Sequence, residues 1–308
     1  ASGMVWGALG TDTGGSVRIP ASHCGITGLK PTFGRLSRHG ISPLSASFDH
    51  AGPLARTARD CALLLEAMCG SDSQDPATWN RPTFVVARNV SPNALEGLRI
   101  GVPRAMFEAD VASDVSTVFE AALVQLQEMG AGVERMEIPD YDAAMRAWVD
   151  ICLAEAYDIH RGDLRDHASE LSPDVATRLQ AGRDISIERY LNAQRRKKEF
   201  QAVMQKTMRA FDLLAMPTTL VPAVLADTGN IDVDGRVVSG ADVLGRLMRL
   251  ASLTGQPAIS IPCGFVADGL PVGLQMIGRG FGEADLIAAA EAYQQQTCWH
   301  EMRPPPAQ

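Results

Sequence analysis

Apolar and polar residues alternate in blocks that predict strands and helices in turn. An apolar run at positions 4–9 is typical of a buried strand, and a glycine-rich turn follows it. Thr57 and Asp60 form a pattern like a helix N-cap ahead of an apolar helix face, and Gly70 provides a stop. The first seventy residues therefore predict at least one strand and one helix.

A β-α-β unit follows. Residues 98–103 predict a strand, residues 113–130 a helix with one apolar side, and residues 133–138 a second strand. Strands joined through a helix of this length are usually parallel neighbours. The sequence therefore predicts an α/β fold with a mixed, mostly parallel twisted sheet.

The second half begins with a mainly helical region at about 142–211, in which no strand pattern is evident. We interpret residues 1–308 as a single domain that includes this region. The remaining predicted elements are a strand at 212–216, a helix at 242–253, strands at 258–262 and 272–278 joined across Asp268 and Gly269, and a tail helix at about 283–296.

The composition and net charge of the chain limit the classes of function that we expect for it. The chain has 308 residues and a net charge of −8, which gives no general electrostatic support to a nucleic-acid partner. The basic run at 195–198 is more typical of a solvated helix face. Six cysteines without a CxxC pair favour reduced thiols, and no apolar run is long enough to span a membrane. We therefore predict a cytoplasmic protein that does not bind nucleic acid directly or enter a membrane.

The glycine-rich turn at 10–20 is the strongest candidate for chemistry. Its glycines allow a sharp bend and a close approach of backbone N–H groups to a substrate, and Ser16 supplies a hydroxyl for attack on a carbonyl. The turn lacks the Gly-Lys-Ser/Thr of a phosphate loop and the Gly-x-Ser-x-Gly of a nucleophile elbow. On these residues alone, a purely structural turn remains open.

A rival interpretation comes from two Asp-Thr-Gly triplets, at 12–14 and 227–229, because aspartic proteases share one proton between two such carboxylates. That class is built from strands, whereas this chain is rich in helix patterns and only 6% aromatic. The second triplet is more typical of a polar turn.

Several motifs together resemble the amidase signature family, in the family's order and over essentially the whole chain. They are the stretches at 10–31, 34–40, 49–53, 216–219, 255–262 and 269–278. The resemblance implies a three-layer α/β/α fold around a mixed sheet, hydrolysis of carboxylic amides, and neither cofactor nor metal.

The resemblance also implies roles within the turn. Ser16 takes the place of the catalytic nucleophile. Asp12 and Arg18 would hold the loop in shape through an ion pair. The oxyanion hole would consist of the backbone N–H groups of Thr13, Gly14, Gly15 and Ser16.

Two further residues of the family's mechanism have no counterpart in the sequence. The family uses a lysine as base and a relay serine in a Gly-Ser-Ser-Gly-Gly-Ser-like segment, both upstream of the turn. Ser2 lacks that context, and Lys30 lies in a segment that is structural in the family. We therefore expect this chain to be the C-terminal portion of a longer amidase. It would be inactive alone, with the missing N-terminal segment or a companion chain as its partner.

The predicted function is hydrolysis of a small-molecule amide to an acid and ammonia or an amine through a serine acyl-enzyme. The alternatives are the A subunit of a glutamyl-tRNA(Gln)/aspartyl-tRNA(Asn) amidotransferase, or an inactive scaffold that lacks the base. The stretches at 48–53 and 155–161 depart from the amidotransferase pattern and favour a stand-alone amidase. A homodimer remains open.

Two further groups of side chains are assigned no step of the reaction. Met145, Trp148, Ile151 and Leu153 lie at helical spacing and would either pack in the core or line the acyl pocket. His39, His50 and His160 are expected to make hydrogen bonds in loops or pocket walls rather than to act in catalysis.

Overall fold

The computed structural model describes residues 1–225 and 229–304, without the side chains at 241 and 242. Ten strands and nine α-helices lie in this part of the chain. The strands are β1 (Gly7–Thr11), β2 (Thr27–Lys30), β3 (Ala51–Ala55), β4 (Arg99–Val102), β5 (Gly132–Arg135), β6 (Leu213–Pro217), β7 (Asn230–Val233), β8 (Arg236–Ser239), β9 (Ala258–Phe265) and β10 (Pro271–Ile277). The helices are α1 (Arg18–His23), α2 (Ala58–Met68), α3 (Ser113–Glu128), α4 (Tyr141–Asp166), α5 (Pro173–Gln180), α6 (Ile187–Ala210), α7 (Gly240–Gly245), α8 (Arg249–Thr254) and α9 (Glu283–Gln296).

Eight of these strands form one mixed sheet in the order β1-β3-β2-β9-β10-β6-β4-β5, and β7 pairs with β8 in a separate hairpin. β4 is parallel to β5, as the β-α-β pattern predicts, and also to β6. The other five pairings in the sheet are antiparallel. The prediction of a mostly parallel sheet is therefore wrong, because the β9–β10 hairpin and the neighbours of β3 reverse the chain without a crossover helix.

Helices cover both faces at the centre of the sheet. All of β6, and all of β9 except Phe265, is buried, and alternate side chains of a strand point to opposite faces. Helices α2 and α9 pack on each other, whereas α1 and α3 contact β9 and β10. The α/β architecture with helical layers around a mixed sheet is confirmed.

The first strand departs from its prediction. β1 lies at the edge of the sheet and, among the described residues, pairs only with β3. The side chains of Met4, Trp6 and Leu9 are 88%, 98% and 58% exposed. The expectation of a buried strand at 4–9 is therefore wrong. An apolar run indicates that a strand could pack against other residues, but it does not show which residues, if any, pack against it.

Two further predictions concern helices. The Thr57 hydroxyl accepts a hydrogen bond from the Asp60 N–H and caps α2, as expected. The predicted helix at 242–253 is instead divided into α7 and α8 by a turn at 246–248. Met248 in that turn packs against Gly15, so the break places a side chain on the glycine-rich loop.

Candidate active site

The loop that links β1 to α1 carries the residues singled out by the sequence. Gly15 has a φ of +121°, and a Cβ there would lie 2.5 Å from Met248 Cγ. A Cβ on Gly14 would lie 2.9 Å from Trp148 Cζ2. Close packing therefore requires glycine at both positions. The positive φ of Gly15 also favours glycine there.

Asp12 and Arg18 form a fully buried ion pair across the loop. Arg18 Nε donates to Asp12 Oδ2 at 2.9 Å, and Arg18 Nη2 donates to Oδ1 at 2.8 Å. Burial by itself would raise the pKa of Asp12, but the Arg18 guanidinium lowers it well below its usual range. The carboxylate therefore stays ionised and serves as a fixed anchor.

Arg18 also reaches the neighbouring elements. Its Nη1 donates to Met248 O at 3.0 Å and to Gln275 Oε1 at 2.7 Å, and its Nη2 donates to Ser252 Oγ at 3.2 Å. The guanidinium thus ties the loop to β10, to α8 and to the turn before α8, and its planar array of donors suits this task.

The backbone N–H groups of the loop fall into two sets. The N–H groups of Gly15 and Val17 donate to the Asp12 carboxylate at 2.8 and 3.3 Å. Those of Thr13, Gly14 and Ser16 have no acceptor among residues 1–225 and 229–304. The Gly15 N–H, expected in the oxyanion hole, is therefore already engaged by Asp12 in this conformation.

Ser16 lies at the exposed tip of the loop. Its hydroxyl has no hydrogen-bond partner in the described part of the chain, so no base contacts it there. The loop thus presents one free hydroxyl beside free backbone donors, the arrangement that acyl transfer needs.

The segment 48–50 supports the loop from the side of β3. The Thr13 hydroxyl donates to Asp49 Oδ1 at 2.6 Å, while Asp49 Oδ2 accepts from the N–H groups of Leu44 and Ser45. The Asp12 N–H donates to His50 O at 2.8 Å. A hydrogen-bonding role for His50 was expected from the sequence, but no local pattern indicated that Asp49 and His50 hold the loop through Thr13 and Asp12.

Lys30 and His50 form a buried pair below the loop. Lys30 Nζ lies 3.1 Å from His50 Nε2 and donates to Pro31 O at 3.0 Å and to Gln256 O at 2.7 Å. Burial and the Arg18 charge lower the pKa of Lys30 to about 7. Burial also lowers the pKa of His50, whose neutral ring donates from Nδ1 to Phe48 O and accepts at Nε2. Lys30 makes no hydrogen bond to Ser16, so its contacts are those of a structural residue.

The helical region supplies one wall of the site through α4. Trp148 lies against Gly14, stacks on Phe48 with ring centroids 5.6 Å apart, and carries the Arg249 guanidinium 5.1 Å from its ring centroid. Met145 and Ile151 are buried in the core. Of these helical neighbours, Trp148 is the one that the structure places against the loop.

The other histidines of the sequence analysis lie away from the loop's contacts. His160 Nε2 lies 3.0 Å from Pro43 O, and its Nδ1 lies 2.9 Å from Asp163.

No group of three or more histidine, cysteine or acidic side chains is arranged for a metal within residues 1–225 and 229–304. Residues 227 and 228 of the second Asp-Thr-Gly triplet lie outside the described residues. None of the described helices is long and apolar enough to cross a membrane.

The family model and the similar sequences indicate the same family for this chain. The amidase family model matches residues 1–287. The glutamyl-tRNA(Gln) amidotransferase A subunit of Moorella thermoacetica is 35% identical over 99% of this chain and 66% of its own length. An amidase of Pseudomonas putida is 37% identical over 97% of this chain and 64% of its own length.

Solved structures of the same two kinds of protein are similar to this fold. A crystal structure of an amidase superposes with a TM-score of 0.84 at 29% identity, over 94% of this chain and 62% of that one. The glutamyl-tRNA(Gln) amidotransferase A subunit of Thermotoga maritima superposes with a TM-score of 0.80 at 32% identity, over 99% and 66%. The chain spans about two thirds of the length of the proteins it matches.

Proposed function

The chain belongs to the amidase signature family, and from this premise we propose that it carries the nucleophile and oxyanion hole of a serine amidase. Ser16 would attack the amide carbonyl and form a tetrahedral intermediate. Collapse of that intermediate releases ammonia or an amine, and water then hydrolyses the acyl-enzyme to the acid. The observation that carries the proposal is the exposed Ser16 hydroxyl on a loop held by the buried Asp12–Arg18 pair.

The developing oxyanion would lie against the backbone N–H groups that have no acceptor, those of Thr13, Gly14 and Ser16. The Gly15 N–H would contribute only by sharing its hydrogen with Asp12. Asp12 and Arg18 position these donors and take no part in proton transfer.

A serine hydroxyl needs a base, and no described side chain makes a hydrogen bond to Ser16 Oγ. We propose that the base and the relay serine come from a segment or a companion chain that pairs with the edge of β1 that has no partner among the described residues. Two observations support this. The relatives are about half as long again as this chain, and apolar side chains are exposed in β1 and in the residues just before it.

Labelling with a fluorophosphonate tests the nucleophile. We expect the probe to modify Ser16, slowly in this chain and fast in the completed enzyme, and Ser16→Ala to abolish both labelling and amide hydrolysis. Ser47→Ala is a matched control, because Ser47 lies outside the loop and its hydroxyl donates to Glu155 instead. Equal labelling or hydrolysis in the Ser16→Ala variant would refute the proposal.

The second candidate function is that of the glutamine-hydrolysing component of an amidotransferase. The observation in its favour is that relatives named as amidotransferase subunits match as well as the amidase does. Release of ammonia from glutamine, tested against simple amides with the same Ser16→Ala control, separates the two functions.

The six cysteines are all free, which fits a reducing compartment, and we propose that the protein lies in the cytoplasm.

A further inference from the structure

Glu155 of α4 joins the helical region to the segment 44–50, which supports the loop of the candidate active site. Its Oε2 accepts hydrogen bonds from the Ser45 hydroxyl and, at 2.9 Å, from the Ser47 N–H. Its Oε1 accepts from the Ser47 hydroxyl at 2.6 Å and from the Tyr190 hydroxyl of α6 at 2.9 Å. A carboxylate accepts hydrogen bonds and donates none, so its two oxygens suit four donors at once.

Ser45 connects Glu155 to Asp49. The Ser45 side chain is fully buried, its N–H donates to Asp49 Oδ2 at 2.9 Å, and its carbonyl accepts from the Asp49 N–H at 2.9 Å. The other carboxylate oxygen of Asp49 accepts from the Thr13 hydroxyl at 2.6 Å. Three successive contacts, each made by hydrogen bonds, therefore lead from Glu155 to the loop that carries Ser16.

The last of these contacts lies at the proposed oxyanion hole. The Thr13 N–H is one of the backbone donors that have no acceptor among the described residues, and Thr13 is the residue whose side chain Asp49 holds. Backbone donors stabilise an oxyanion when they are aimed at it beforehand. A displacement of about 1 Å in such a site can cost roughly a hundred-fold in rate. A shift of Asp49 would therefore impair the oxyanion hole by turning the Thr13 N–H.

We propose that Glu155 is a positioning residue for the reaction of Ser16. It fixes the segment 44–50 and thereby holds the Thr13 N–H in the direction that the oxyanion needs. The inference rests on the proposed function and adds to it a residue of the helical region. Within residues 1–225 and 229–304, Glu155 makes no hydrogen bond to the loop itself, so it acts through the segment and takes no part in proton transfer.

A second carboxylate between α4 and α6 provides a matched control. Asp150 of α4 accepts two hydrogen bonds from Arg189 of α6, at 2.9 and 2.6 Å, and none from the segment 44–50 in the part of the chain that the structure describes. Glu155→Ala and Asp150→Ala each remove a carboxylate that links these two helices, but only the first removes support from the segment. A difference between the two variants therefore reports on the segment and not on the packing of the helices.

Hydrogen exchange of the 308-residue chain, followed by mass spectrometry, tests the inference without requiring activity. We expect Glu155→Ala to speed exchange in the segments 11–18 and 44–50 by about ten-fold or more, because hydrogen bonds to a charged group are lost. Asp150→Ala should leave exchange in both segments unchanged. Ser45→Ala removes only one hydroxyl, so it tests the same connection even if Glu155→Ala does not fold, and it should speed exchange in the same two segments.

The rate at which a fluorophosphonate labels Ser16 is the second measurement. We expect Glu155→Ala to slow the labelling by about ten-fold or more, since the donors of the oxyanion hole would no longer be held in place. Asp150→Ala should label at the rate of the unchanged protein.

The conservative variant Glu155→Gln should restore most of the labelling rate. Its amide oxygen can accept the two hydrogen bonds that Oε2 accepts, and its NH₂ group can donate to the hydroxyls of Ser47 and Tyr190, which are able to accept. Ser47→Ala also leaves both hydrogen bonds at Oε2 in place, so it should change the labelling rate much less than Glu155→Ala does.

Unchanged exchange in Glu155→Ala and Ser45→Ala, or equal effects of Glu155→Ala and Asp150→Ala, would overturn the inference. An unchanged labelling rate in Glu155→Ala would overturn it too, because the segment would then be held without any consequence for Ser16, while the proposed function would stand. If Ser16 is not labelled in the unchanged protein, the proposed function fails, and the exchange measurement alone decides whether Glu155 holds the loop in place.

Discussion

The first eighteen residues contain two adjoining regions with opposite environments. Residues 4–9 expose large apolar side chains at the edge of the sheet, whereas Asp12 and Arg18 are fully buried. The loop is anchored by contacts to three other parts of this chain, β10, α8 and the segment 48–50. Within residues 1–225 and 229–304, the strand before it pairs only with β3. The geometry of the Ser16 loop is thus fixed by contacts within the described residues, whereas the strand that leads to it stays exposed there.

The buried pair explains why the loop keeps its shape. Ion pairs taken out of water often contribute little net stability, because the loss of hydration offsets the attraction between the charges. Removal of one partner is different, since it leaves the other charge buried and uncompensated. Asp12 also accepts two backbone N–H groups of the loop, so its loss would release the backbone as well.

The largest expected effect is therefore that of Asp12→Ala. We expect the free energy of unfolding to fall by about 3–5 kcal/mol, because Arg18 would remain buried without its counter-ion. Urea unfolding followed by circular dichroism measures the change. Asp166→Ala is the control, since Asp166 pairs with Arg165 in solvent and its loss should change the free energy of unfolding very little. Similar losses in the two variants would contradict the contrast between buried and exposed regions.

Lys30 gives the next effect, through pH. Its pKa is about 7 in the fold, mainly because of burial, against an ordinary value of 10.5. Between these two values the unfolded chain binds more protons, so the free energy of unfolding should rise with pH, by up to about 1.4 kcal/mol per pH unit. Lys30→Met should lack this rise, which unfolding curves at a series of pH values can measure.

The exposed Lys206 provides the control for this prediction. Lys206→Met should keep the pH dependence of the unchanged protein, because it leaves Lys30 and its buried contacts intact. Parallel curves for the unchanged protein and the Lys30→Met variant would show that burial does not perturb Lys30.

The same contrast separates what the sequence could predict from what it could not. Local patterns predicted the Thr57 cap, the β-α-β unit and the glycine-rich loop, because each depends on residues close together in the chain. The contacts of Thr13 with Asp49 and of Gly14 with Trp148 join residues far apart, and no local pattern encodes them.

The sheet shows the same limit. An apolar run predicts a strand but not its neighbours, so the five antiparallel pairings could not be inferred from the runs themselves. The exposure of β1 could not be inferred either, because burial of an edge strand depends on what lies beside it. The family motifs located Ser16, whereas the engagement of the Gly15 N–H by Asp12 became evident only in the structure.

The smallest expected effect on stability concerns β1 and the residue just before it. Trp6→Ser together with Leu9→Ser should change the free energy of unfolding by less than about 0.5 kcal/mol, because both side chains are already exposed. Self-association should nevertheless fall, since an unpaired strand edge with apolar side chains pairs readily with other chains. Sedimentation velocity over a range of concentrations measures this self-association.

The control is Ile187→Ser, which removes an exposed apolar side chain from a helix instead. If association falls equally in both variants, general surface hydrophobicity and not the edge of β1 is responsible. If the double variant unfolds far more easily, then β1 is buried in solution by an association that this chain already makes.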